Sequence, residues 1–190
     1  MPHGIALVTA PTSEPVTLEE MKQQIGIPAS DSNNDAVIRQ CLLAARAFVE
    51  DYTDRQFVEA TWREAFDRFP TEFRPLRSPL KSVTTITYTS TAGTTLTVAE
   101  RTYIVDTYVE PGRITLAYGQ VWPTPKPQAN VVLLTYKAGY TVVPLQAKQA
   151  ILLLGAHWFD NPEPGAKGAQ VNMVPFAVNE LLTQLETGAI

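Results

Sequence analysis

The sequence predicts an α+β protein: a helical bundle formed by its N- and C-terminal segments, with a small antiparallel β-sandwich or barrel-like module inserted between them. Three observations carry this. Residues 1–54 and 143–190 place apolar side chains at helical spacing, whereas 55–142 reads as short strands punctuated by turns. An inserted β-module leaves its two ends side by side, so the flanking helices can pack as one bundle. And no constellation of residues matches bond-making chemistry, which points to a part that joins other parts.

The N-terminal helices have clear punctuation. Thr17 followed by Glu20 is a capping box, and Leu18, Met21 and Ile25 follow on one face. Gly26 suits the end of that helix, and Pro28 prevents its continuation. The polar run 30–35 supplies caps for a second helix. There Val37, Ile38, Cys41, Leu42, Ala45, Phe48, Val49 and Tyr52 form a wide apolar stripe, and Arg39, Arg46, Glu50 and Asp51 lie off it. Within that stripe Cys41 reads as a small buried hydrophobe rather than a nucleophile.

The middle begins with an imperfect alternation over 56–69, with Val58, Ala60, Trp62 and Phe66 on one face. Prolines 70, 75 and 79 break the next loop. Residues 82–99 carry eighteen positions without a charge, eight of them threonine. They predict a strand at 83–88, a hairpin tip at Ala92–Gly93 and a return strand at 94–98. Edge strands ordinarily carry charged gatekeepers. The stretch is therefore either a plain sheet hairpin or one covered by a neighbouring subunit, with Thr87, Thr89 and Thr94 at the contact. Further strands follow at 103–105 and 113–118, separated by the Glu110-Pro111-Gly112 turn. A proline-rich loop spans 122–127, and a near-continuous apolar strand at 130–136 belongs in the sheet centre.

In the C-terminal segment Pro144 suits a first helical turn. Ala147, Ile151, Leu154 and Trp158 follow at helical spacing, widened by Leu152, Leu153, His157 and Phe159 into a central helix. Asn161-Pro162 stops it, and residues 163–170 read as a loop. Pro175 opens a last helix whose expected buried residues are Phe176, Val178, Leu181, Leu182 and Leu185.

Composition narrows the function. The 190 residues fit one large domain or two small ones. With 15 Lys and Arg against 19 Asp and Glu the net charge is −4, which disfavours a basic nucleic-acid-binding face. One cysteine excludes an internal disulfide or a zinc cluster of cysteines. The start lacks a signal-peptide pattern, and the longest apolar run, 150–156, is far short of a membrane span. The expectation is a soluble protein made in a reducing compartment, without cofactor, metal or membrane. The two histidines, His3 and His157, match no ligand spacing. Glu59, Asp67, Asp106 and Glu110 could pair as catalytic acids only if the fold clustered them, so no catalytic residue is assigned.

Several segments together resemble one family. They are Glu14-Pro15-Val16-Thr17-Leu18-Glu19-Glu20-Met21-Lys22, residues 44–53 (AARAFVEDYT), Pro111-Gly112-Arg113-Ile114, residues 118–123 (YGQVWP) and residues 149–158 (QAILLLGAHW). In this order they resemble the head–tail connector (adaptor) proteins of long-tailed bacteriophages, prophages and gene-transfer particles. One departure is Asp54, where glycine is expected after Tyr52-Thr53; aspartate tolerates the left-handed conformation that a helix end needs.

The resemblance implies a ring, generally of twelve subunits, beneath the capsid portal and within the virion neck, assembled in the host cytoplasm. A stopper or tail-completion protein would dock on its distal side, and DNA would pass through the lumen without sequence-specific binding. It implies portal contacts from the C-terminal segment, Glu186, Thr187, Gly188, Ala189 and Ile190. Subunit contacts are expected at Arg39, Arg46 and the threonines named above. The alternatives are another neck protein (a stopper or terminator) or a carbohydrate-binding β-module stacking sugars on Trp62, Tyr88, Tyr103 or Trp122. A hydrolase with clustered acids is a further option.

Overall fold

The computed structural model describes residues 4–162 and 176–186. The chain divides into two compact units: residues 1–12 with 58–141, and residues 13–57 with 142–190. The first is built of strands and the second of helices, as an α+β reading requires.

The helical unit opens with α1 (Leu18–Gln24). The Thr17 hydroxyl accepts from the Glu20 N–H at 3.1 Å, and the Glu20 carboxylate accepts from the Thr17 N–H at 2.7 Å. That reciprocal cap, worth about 1 kcal/mol, fixes the start. Helix α2 (Asp35–Thr53) buries Ile38, Leu42, Ala45 and Val49 and ends at Asp54, whose φ of 52° and ψ of 26° are left-handed. Aspartate thus does there what glycine would. The apolar stripe is narrower than expected: Val37 and Tyr52 are half-exposed, and Cys41 is partly buried. Helix α3 (Leu145–Asp160) touches each of the other three helices and is the centre of the unit. Its Gly155 allows close approach, since a Cβ there would lie 3.2 Å from the Met21 methyl. Helix α4 (Phe176–Glu186) buries Val178, Leu182 and Leu185 at i, i+4, i+7 spacing, whereas Phe176 is exposed.

Two buried charges tie this unit together. The Lys22 ammonium is almost wholly enclosed. It donates to the carbonyls of Ala29 (3.3 Å) and Asp31 (2.7 Å) and pairs with Asp35 at 2.5 Å, which closes the α1–α2 connection. After α2, the buried Glu50 carboxyl accepts from Gln56 Nε2 (2.7 Å) and the Phe57 N–H (3.0 Å), fixing the chain as it leaves the helix.

The β-unit contains two antiparallel sheets. The larger orders its strands β1 (Gly4–Thr9), β2 (Ala60–Phe66), β8 (Val132–Ala138), β4 (Leu80–Thr89) and β5 (Thr95–Thr97). The smaller orders β3 (Glu72–Phe73), β7 (Arg113–Leu116) and β6 (Tyr103–Asp106). Phe73 and Ile114 from the smaller sheet share one buried cluster with Ile86, Val132, Leu134 and Tyr136 from the larger. The apolar β8 is central, as its composition predicts. The β4–β5 hairpin turns at Gly93 (φ 84°), where the Ser90 N–H donates to the Thr94 carbonyl.

One assignment differs from the sequence reading. Residues 4–9 do not stay with the N-terminal helices; they pair with β2 in register Ile5↔Glu64 and Leu7↔Trp62. Their continuous apolar run shows no alternation because both faces of this edge strand are exposed.

Candidate assembly surfaces

The acids considered for catalysis each hold a structural contact. Glu59 accepts from both Lys81 and Lys137, and those two bonds, Lys81 first, lower its pKa. Asp67 accepts from the Asn130 N–H at 2.9 Å. Asp106 accepts from the Tyr108 N–H (3.0 Å) and from Arg113 Nε (2.9 Å), and the backbone bond leads in lowering its pKa. The Glu110 carboxyl accepts from the Tyr140 hydroxyl at 3.3 Å. These acids pin turns and strand ends. Among the described residues no group of three or more His, Cys, Asp or Glu could hold a metal ion. His157, on α3, lies 3.5 Å through Nδ1 from Asn161 Nδ2; His3 lies outside the described residues. Burial raises the pKa of the Cys41 thiol, which suits a packing role.

The aromatics do not form a sugar-binding platform. Trp62, Tyr88, Tyr103 and Trp122 all pack against the β core. Trp122 stacks on Phe69 at 5.0 Å and 9°, and the Arg77 guanidinium lies 5.0 Å from the Trp62 ring centre.

What remains open is surface suited to protein contact. On the helical unit a groove of about 440 Å³ runs between the start of α1 and α2. Val16, Leu18, Leu42 and Leu43 give it an apolar lining, and Glu14 and Arg39 stand in it. Of the two arginines expected at a subunit contact, Arg39 is exposed. Arg46 is largely buried and pairs with Glu14 at 3.0 Å, so it serves the helical unit itself. On the β-unit, Thr87 and Thr89 are half-buried and pair with Thr97 and Thr95, while Thr94 is exposed at the hairpin tip. Of the expected portal-contact residues, Glu186 ends α4, and Thr187, Gly188, Ala189 and Ile190 lie outside the described residues.

Two further features were not drawn from the sequence. Buried Glu64, on the core face of β2, accepts from the Tyr136 hydroxyl at 2.5 Å and the Leu76 N–H at 2.8 Å. The units also differ in charge: residues 13–57 with 142–190 hold six Lys and Arg against twelve Asp and Glu, and the β-unit nine against seven. The helical unit is therefore net −6 and the β-unit +2.

No curated protein matches the chain significantly. Among solved structures, the fold is similar to a chain in the neck of an empty gene transfer agent (GTA) particle computed with C6 symmetry. That match has a TM-score of 0.78 and 23% identity, over 96% of this chain and 94% of the other. It is also similar to a chain in the virion of a native GTA particle, with TM-score 0.76 and 21% identity over 95% and 94%. A third, in the neck of a native GTA particle computed with C12 symmetry, gives TM-score 0.73 and 21% identity over 96% and 94%. The model of the head completion protein family matches residues 14–174, and the chain belongs to that family.

Proposed function

We propose that this head completion protein is the head–tail connector of a phage-like particle. Twelve copies form a ring under the capsid portal, extend the DNA channel and present a docking surface to the next neck protein, a stopper or tail-completion protein. The observation that carries the reading is membership of the head completion family over 14–174, joined to a fold shared along nearly the whole chain with chains of GTA necks. The site chemistry agrees, because the ionisable groups named above are used to brace strands and turns. The net −6 of the helical unit would weaken any grip on phosphate if that unit faces moving DNA.

The C-terminal segment is the portal contact in this reading. Helix α4 is anchored by Val178, Leu182 and Leu185, so the anchors end just before the segment 186–190. Deleting 186–190 should leave the melting temperature within about 2 °C, since terminal residues beyond the anchors contribute little. The same protein should lose co-sedimentation with portal rings. Unimpaired co-sedimentation of the well-folded truncated chain would place the portal contact elsewhere, with the groove beside Arg39 next to be tested.

A further inference from the structure

We propose that neighbouring copies join edge to edge through the larger sheet, the β5 edge of one subunit pairing with the β1 edge of the next; this rests on the ring reading above. Among the described residues β1 pairs only with β2, and β5 only with β4. Each therefore presents one open row of backbone donors and acceptors. At β5 the groups concerned can be identified. The Val98 N–H donates to the Ile86 carbonyl and the Ser90 N–H to the Thr94 carbonyl. In this register residues 94, 96 and 98 turn their backbone groups toward β4, so those of Thr95 and Thr97 point outward. An open strand edge is complementary to another strand.

Neither edge is guarded by a charged or proline gatekeeper, although β5 is only three residues long and β1 is irregular between Leu7 and Thr9. Strand β1 reads Gly-Ile-Ala-Leu-Val-Thr and β5 reads Thr-Leu-Thr, without a charge or proline in either. Soluble proteins commonly place lysine or proline on such edges, unless something covers them.

The side chains on the two edges also match face by face. Ile5 and Leu7 stand opposite Glu64 and Trp62, on the core side of the sheet, and are 37% and 47% exposed. Leu96 stands opposite Tyr88, also on the core side, and is 43% exposed. Away from the core, the residues paired in register are small or hydroxylated at both edges, Gly4 and Ala6 on β1 and Thr95 and Thr97 on β5, while the exposed Val8 falls at the β1 irregularity. Joining β5 to β1 of another copy thus sets leucine against isoleucine and leucine on one face and threonine against alanine on the other.

Symmetry selects this pairing over the self-pairing of like edges. Four successive antiparallel steps separate β1 from β5, so the two edge strands run in the same direction. A rotated copy then adds its β1 parallel to β5 and keeps core face beside core face. Such a contact uses two different surfaces and can close into a ring when its rotation divides the circle, whereas β1 on β1 stops at a two-fold dimer.

The test uses cysteine pairs in a Cys41→Ala background of the full-length chain, incubated with portal rings under mild oxidation. Leu96→Cys combined with Leu7→Cys or with Ile5→Cys should give a ladder of disulfide-linked oligomers in at least one combination. Each single variant should stay monomeric on the same gel. Linked dimers from Leu96→Cys alone or Leu7→Cys alone would overturn the proposal in favour of like-edge pairing. Rings visible by electron microscopy, without linked oligomers from either combination, would overturn it and leave the ring reading standing. Absence of rings even for the Cys41→Ala protein would overturn both. Leu96→Lys adds an independent check: an exposed lysine should leave melting unchanged and reduce ring yield at least tenfold, and undiminished yield would contradict the edge contact.

Discussion

Tyr136→Phe removes one oxygen from the β-unit core and should cost far more than its size suggests. The phenol is fully buried. It donates to the Glu64 carboxyl at 2.5 Å and accepts from the Arg77 N–H at 3.2 Å. Phenylalanine fills the same space, so no cavity term enters. What is lost is one strong bond at about 1.5–3 kcal/mol and one ordinary bond at about 1 kcal/mol. Buried Glu64 retains the Leu76 N–H among its donors, which limits the damage. The net loss is about 2–4 kcal/mol; at roughly 4–8 °C per kcal/mol for a unit of this size, the β-unit melts at least about 8 °C lower. There is also a signature in pH. Burial first, and the neighbouring Glu64 second, push the Tyr136 pKa well above its ordinary 10.0. A group whose folded pKa is raised contributes stability that is complete below the unfolded pKa and lost as pH rises above it. The native chain should therefore lose stability above pH 10, and Tyr136→Phe should lack that part of the loss. Calorimetry of both proteins from pH 7 to pH 11 measures both effects. A shift under about 3 °C at pH 7 would refute the reasoning, and so would identical alkaline profiles.

Three other outcomes follow from the same contacts. Val132→Asp places a carboxylate at a fully buried position in the central strand and should cost several kcal/mol (roughly 3 or more); far-ultraviolet dichroism should lose strand signal and keep helical signal. Gly139→Ala should destabilise the β-unit by about 2 kcal/mol or more, read as a lower denaturant midpoint: the residue has φ 141°, and an added Cβ would lie 2.6 Å from the Glu59 backbone. Glu20, Glu59 and Asp106 have lowered pKa values, so the stability they lend is present above the ordinary carboxylate range and falls away as pH drops below about 4. Acid titration followed by tryptophan fluorescence should show that decline, and Glu59→Gln should reduce its steepness.

What the sequence revealed was mostly local. The Thr17–Glu20 box, the Asp54 helix end and the apolar β8 each carry their signal within a few residues, and each forms as expected. Distant pairing was not legible. Strand β1 finds its partner more than fifty residues away, and β3 is two residues long. Period-two parity puts Glu64 on the same face as Ala60, Trp62 and Phe66, but it could not show what satisfies an acid buried there, which takes the distant Tyr136 hydroxyl and the Leu76 N–H. Val37, Tyr52 and Phe176 read as core because they are apolar, yet each is exposed. Apolar residues outside the core are what a chain that assembles with others can carry. Of the candidate contacts, Arg46 shows the limit of pattern reading: its position off the helix stripe could not reveal that Glu14 already holds it.

The ring proposed above would form by copies of this chain assembling on the portal. Cryo-electron microscopy of the full-length protein bound to portal rings tests it most directly. The expected result is a density layer of twelve subunits on the portal face that leads to the tail, with an open central channel. A two-fold dimer with no portal density, or single subunits at irregular positions, would contradict it.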